Sequence, residues 1–227
     1  TGLMRVPAHL RGTYMCMLIF SNNSFMGYPV VQALFGESAI FYITIFNMPF
    51  NIVFFSLALH LFKKDAAIGS GTYEREKINP RNFINNGIIA AIAALVIYFA
   101  NIPMPDIFFE CVGFIGNITT PLSMIIIGSS MAAASLKEIK TEKGIWPMLP
   151  IRLIGMPILV WAFMHLVTDD PILIGICTVG AGMPVASLVA MGSAPYPRQN
   201  KCASIGVVIS TLFSLITIPI MAVLLGA

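Results

Sequence analysis

Charge is scarce in this chain. Acidic and basic residues together make up 10% of it, where soluble domains carry roughly 25%. Ten acidic and 13 basic side chains in 227 residues, against a 57% hydrophobic composition, cannot coat a water-soluble body of this size. Cysteine is equally sparse. Cys16, Cys111, Cys177 and Cys202 sit in or beside apolar runs without a CxxC pair, which argues against a zinc site or a disulfide framework and reads as buried small hydrophobes. The constellations of intramembrane enzymes are missing: no HExxH, no spaced pair of aspartates and no Ser/His arrangement at membrane depth. Asp169 and Asp170 are adjacent and fall in a turn. Gly69-Ser70-Gly71 lacks the lysine and flanking strand of a nucleotide-binding loop. Neither a cofactor, nor a metal, nor nucleic acid is indicated. No signal peptide is visible, and a start at Thr1-Gly2 rather than methionine suggests that the chain begins upstream.

What is present is apolar length. Seven uncharged or nearly uncharged runs reach spanning size, at about 13–35, 38–62, 82–105, 111–136, 145–168, 171–194 and 202–227. Too little remains for a soluble domain, so the sequence predicts one all-α polytopic unit in the cell membrane. Basic residues fall in four groups: Arg5 and Arg11, five across 63–81, four across 137–152, and Arg198 with Lys201. All four lie on one side if every run crosses. Glu37, Asp106, Glu110, Asp169 and Asp170 take the other side. Basic loops stay cytoplasmic, which predicts a cytoplasmic N-terminus and an extracytoplasmic C-terminus.

Two of the runs are interrupted. Residues 22–29 read Asn-Asn-Ser-Phe-Met-Gly-Tyr-Pro and 180–187 read Gly-Ala-Gly-Met-Pro-Val-Ala-Ser. In lipid every freed backbone group needs a partner, so such breaks persist only against protein or a wet cavity. The first run crosses outward and the sixth inward. Gly/Pro-interrupted segments in matching places of opposed halves point to the binding site of an inverted-repeat carrier. Helix halves beginning at the breaks would present unpaired N–H groups suited to a carboxylate. The candidate substrate-binding residues are therefore Asn22, Asn23, Gly27, Pro29, Gly180, Gly182, Pro184 and Ser187, joined by Asn117, Thr119 and Thr120 from the polar stripe of the fourth run. That stripe also reads as close helix packing through small residues. Asn47, Pro49 and Asn51 in the second run read as a proline kink with nearby amides. Arg152, inside the fifth run, reads as a side chain snorkelling to the headgroups.

Two runs precede the 63–81 connector and five follow it. This division predicts a fragment of a ten-helix protein: 1–62 as the last two helices of one five-helix repeat, 63–81 as a cytoplasmic connector and 82–227 as the second repeat. The motifs agree. Asn23-Ser24-Phe25-Met26-Gly27-Tyr28-Pro29 resembles the N-x-G-F-x-G-x-P signature of the auxin efflux carrier family, with Ser24 where a small residue or glycine is usual. Thr120-Pro121-Leu122, followed by Ile127-Gly128 and Met131, resembles the family's T-P-L…I-G-x-x-L segment, with Met131 replacing leucine. Met183-Pro184-Val185-Ala186 and the 210–219 stretch resemble the last two helices of bacterial members. The resemblance implies two inverted five-helix repeats with crossover helices broken at proline, matched by Pro29 and Pro184, and transport of small organic anions. The short connector suits the compact bacterial type. The partners expected are a small organic anion and the bilayer; a homo-oligomer is compatible with both. A cation-coupled symporter or antiporter of the same architecture is the alternative, with an intramembrane enzyme less favoured. No Asp, Glu, Lys or Arg stands at the centre of any run, so a coupling carboxylate is not expected within these residues.

Overall fold

A computed structural model describes residues 6–72, 86–133 and 142–226. Among these, every regular element is helical, and the one extended contact is an isolated antiparallel bridge between Ser21 and Val185. A turn at Ala8–Leu10 leads into α1 (Arg11–Ile19); a π-helical turn, Asn23–Gly27, continues directly as α2 (Tyr28–Phe35). The long helix α3 (Ala39–Gly69) is loosened by a π turn at Phe54–Ala58. It is followed by α4 (Asn86–Phe99), α5 (Asp106–Ala133) and α6 (Ile145–Met164), the last with a π turn at Ile151–Gly155. The chain closes with α7 (Pro171–Gly182), α8 (Ser187–Gly192) and α9 (Pro197–Leu225).

Local chemistry sets the boundaries. The Asp170 carboxylate accepts the Ile172 amide at 2.9 Å and stands before Pro171, so the Asp169–Asp170 pair marks a helix start. Gly36, at φ +85°, ends α2 in a conformation that side chains other than glycine resist. Among the described residues three helices, α3, α6 and α9, are continuous, apolar and long enough to cross a membrane. The shortest, α6, has 20 residues, about 30 Å at ~1.5 Å per residue. The first and sixth predicted runs are each interrupted, as α1 to α2 and α7 to α8.

The distribution of polarity is that of a membrane protein. Large apolar side chains point outward: Phe99 is 77% exposed, Leu224 81% and Leu166 85%. The interior instead holds Asn22, Asn23, Asn47, Arg152, Ser187, Ser210 and Ser214. Water rewards the opposite arrangement, whereas lipid tolerates an apolar exterior and confines polar groups to the bundle. Cys16, Cys177 and Cys202 are buried as expected, but Cys111 is exposed on the outer face of α5.

Ends carrying the basic groups gather together. Gln199 at the start of α9 donates to the His9 carbonyl, and Arg198 pairs with Glu142 just before α6. The second run was expected to end at Phe62; α3 instead continues to Gly69, into the predicted connector, whose later residues 73–81 lie outside those described. The reason is packing. Phe62 and Asp65 are buried against the start of α1, where Gly12 lets the two helices touch: a Cβ there would meet the Leu61 Cβ at 2.9 Å. At that approach the Asp65 carboxylate accepts the Gly12 amide at 3.0 Å, the Thr13 amide at 2.7 Å and the Thr13 hydroxyl at 2.9 Å. It caps α1 from another helix, complementing its N-terminal dipole.

Asp65→Ala leaves two amides and a hydroxyl buried without an acceptor. The expected loss is about 1–3 kcal/mol, read as a lower thermal unfolding midpoint in detergent. An unchanged midpoint would show that the cap carries no stability.

Candidate functional site

The two interruptions meet. Residues Phe20 to Asn22, between α1 and the Asn23–Gly27 turn, run antiparallel to Met183 to Ala186, between α7 and α8. The Asn22 amide donates to the Pro184 carbonyl and the Ala186 amide to the Phe20 carbonyl, both at 2.9 Å. One break thus satisfies the other. The Val185 amide donates to the Ser210 hydroxyl of α9 at 3.0 Å. The Asn22 side-chain amide donates to the Ser187 hydroxyl at 3.2 Å, linking the two second halves. Asn22, Pro184 and Ser187 are all buried at this crossing.

Arg152 is where the sequence reading fails. It does not snorkel: the side chain is fully buried, the largest such residue in the protein's described interior. Its Nη1 donates to the Leu18 carbonyl at 3.0 Å, and its Nη2 donates to the Met183 carbonyl at 2.9 Å and to the Ser21 hydroxyl. Leu18 and Met183 lie where α1 and α7 end, so both carbonyls have lost their helical partners. The π turn of α6 that carries Arg152 is an insertion of the kind found at functional sites. Depth counted along α6 places Arg152 near one end of the span; the length of its side chain and the path of the breaks bring the guanidinium to the crossing. No sequence signal beyond an arginine inside an apolar run marked it.

Asn23 is fully buried, and among the described residues neither its side-chain nitrogen nor its oxygen has a hydrogen-bond partner; the Arg152 Nε is the same. Buried amides left unpaired are uncommon and ask for an explanation. Gly27 makes room for this side chain, since a Cβ there would stand 3.0 Å from the Asn23 Oδ1. Pro29 is placed differently from the expectation that it breaks the helix. The chain is irregular at 20–22, and Pro29 stands about two turns later, exposed near the start of α2. The proline follows the π turn, at whose end the Tyr28 amide reaches back to the Asn23 carbonyl, and the helix runs on through it as α2. Gly180 and Gly182 admit neighbouring helices: a Cβ at Gly180 would meet Ile43 of α3 at 2.8 Å, and one at Gly182 would meet Met221 of α9 at 2.5 Å. Asn117, Thr119 and Thr120 belong to α5, and their side chains lie outside the described residues.

Polar groups of α3 join the site. The buried Asn47 amide donates to the Ser24 hydroxyl at 3.0 Å. Asn47 and Asn51 line a small cavity with Ser21, Ser24, Phe54 and Leu188 beside the crossing. It is no larger than a water molecule needs.

An apolar exterior wrapped around a buried, polar meeting of two interrupted helices defines a helical membrane protein with a polar crossing inside its bundle. The comparisons with known proteins specify which class. The family model described as a membrane transport protein matches residues 1–222, and this chain belongs to that family, the auxin efflux carrier family. A relative from Methanothermobacter thermautotrophicus, named "Uncharacterized transporter", is 22% identical over 90% of this chain and 65% of its own length. Another, from Rhizobium meliloti and named "Putative malonate transporter", is 23% identical over 88% of this chain and 62% of its own. The chain therefore spans just under two thirds of the curated relatives it matches.

The facing of Ser21 and Val185 is directly testable. Side chains opposed in an antiparallel pair have Cβ atoms about 4.5–5.5 Å apart, close to disulfide reach. In a background lacking the four native cysteines, Ser21→Cys with Val185→Cys should cross-link under mild oxidation. With a protease site inserted after Gly71, the cleaved halves should stay together on a non-reducing gel. Separation despite oxidation would mean that the breaks do not meet.

Proposed function

We propose that this protein is a secondary carrier of small organic anions, with the crossing as its substrate site. The observation that carries the reading is the buried Asn23 amide, left without a partner at the start of a helical half. A carboxylate can accept from that amide and from the N–H groups of the same turn, with no buried lysine required. Asn22, Ser187, Gly27 and Pro184 hold the turn and its partner break in place, and Asn47 and Asn51 of α3 complete the polar wall. Gly180 and Gly182 act through packing, and Asn117, Thr119 and Thr120 extend the site from α5. A relative named for malonate makes a dicarboxylate the first substrate to try.

On this reading 1–62 are the last two helices of one inverted repeat, 63–81 join the halves and 82–227 are the five helices of the other. The gathered basic ends then face the cytoplasm, which puts the N-terminal side of α1 inside and the C-terminal end of α9 outside.

Radiolabelled malonate uptake by the full-length protein in liposomes tests the assignment. Asn23→Ala should lower saturable uptake at least about tenfold, the worth of one charge-assisted hydrogen bond, and Pro184→Ala, which lifts the backbone restriction at the second break, should lower it as well, both with reconstitution unchanged. Uptake equal to wild type in both variants would remove the site from the crossing.

A further inference from the structure

We infer that Arg152 sets the charge preference of the crossing by cancelling the negative ends of α1 and α7, a role that rests on the anion-carrier reading above. Helices α1 and α7, of 9 and 12 residues, approach the crossing from opposite sides and both end there. The end of each helix carries about half a negative charge on its unpaired carbonyls. Two such ends together amount to about one negative charge.

A guanidinium remains protonated in proteins. The Arg152 group is fully buried, and its hydrogen bonds run to two carbonyls and a hydroxyl, none to a carboxylate. A buried charge without compensation would be costly. Here the carbonyls of Leu18 and Met183 supply it, one from each helix end. Guanidinium and helix ends neutralise one another at short range.

What remains uncompensated is positive. The helical stretch formed by the Asn23–Gly27 turn and α2 starts at the crossing with its N–H groups, and the Asn23 amide stands there unpartnered. Helix α8 has six residues and is too short to add a comparable end. Without Arg152, two carbonyl ends would outweigh one amide end, and the crossing would repel an anion. With it, the crossing attracts one. Arg152 thus acts as a positioning and charge-setting residue that acts on the solute through the helix ends.

The test compares malonate with its monomethyl ester, which differ by one charge near neutral pH, as substrates of the full-length protein in liposomes. For wild type the KM for malonate should be the lower. Arg152→Gln should raise the ester KM about tenfold, the order expected for one unit charge across roughly 10 Å at an effective dielectric of ~20, and the doubly charged malonate's KM about a hundredfold, so that their ratio collapses. Arg152→Lys keeps the charge and should keep the ratio. A purely structural arginine would lower Vmax for both substrates and leave the ratio alone, which would overturn the inference while the anion reading stands. Wild type that takes up neither substrate overturns the anion reading, and this inference with it. Where Arg152→Gln fails to fold, Arg152→Met, which removes the charge and leaves no polar side-chain group to bury, decides: a collapsed ratio supports the charge role, a retained one refutes it.

Discussion

A peptide chain interrupted inside lipid has to find hydrogen-bond partners for the groups that the interruption frees. The organisation of this protein follows from that requirement. Each break supplies a carbonyl to the other's amide, through Asn22 to Pro184 and Ala186 to Phe20. The groups left over reach side chains: Val185 to Ser210, Leu18 and Met183 to Arg152. An unsatisfied backbone group in hydrocarbon costs several kcal/mol. Neither break is tolerable alone, and each is the other's remedy. Three surrounding helices, α6, α9 and α3, contribute one polar group or more apiece to the same spot.

Steric fit serves the same end. The apolar core divides into two clusters, one around α1, the end of α3, α6 and α8, the other around α2, the start of α3 and α7. The breaks lie between them. Glycines at 180 and 182 bring α3 and α9 against the end of α7, which keeps the dielectric low around the crossing and strengthens the hydrogen bonds within it. Asp65 of α3 fixes the far end of α1. A short helix that ends inside the bundle is thus held at both of its termini by groups from other elements.

Much of this was legible in the residues. The two interruptions were marked by glycine, proline and amides inside uncharged runs, and the family motifs covered the same positions. Their meeting was inferred from direction and order, and the contact between Ser21 and Val185 realises it. The exact point of breakage was misjudged because proline is the loudest local signal, while Pro29 follows a π turn within a continuing helical stretch and the break falls at Phe20 to Asn22, where Ser21 and Asn22 are quieter turn formers. Arg152 was misread because position along a helix says where a Cα lies, not where six side-chain bonds lead. Asp65 was invisible for a related reason: a cap supplied by a residue 52 positions away leaves no local pattern. The extent of α3 beyond Phe62 depended on that same contact.

On the carrier proposal, the energetics of the crossing also restrict how it takes part in transport. Pulling the breaks apart would expose the two backbone bonds between them, the Asn22–Ser187 link and the Arg152 contacts. At about 1–3 kcal/mol for each buried group left unpaired, that separation is comparable with the whole stability of a typical domain. The cavity beside the crossing is water-sized and walled partly by α3, so an organic acid needs space that the present arrangement does not give. The crossing is the costly part to deform, and the α3 wall is the cheaper one: it contains a π turn at Phe54–Ala58, and it meets the first break through the Asn47 to Ser24 hydrogen bond and the edge-on contact of Phe54 with Phe20. On that proposal, opening falls to the boundary between α3 and a crossing that moves as one body.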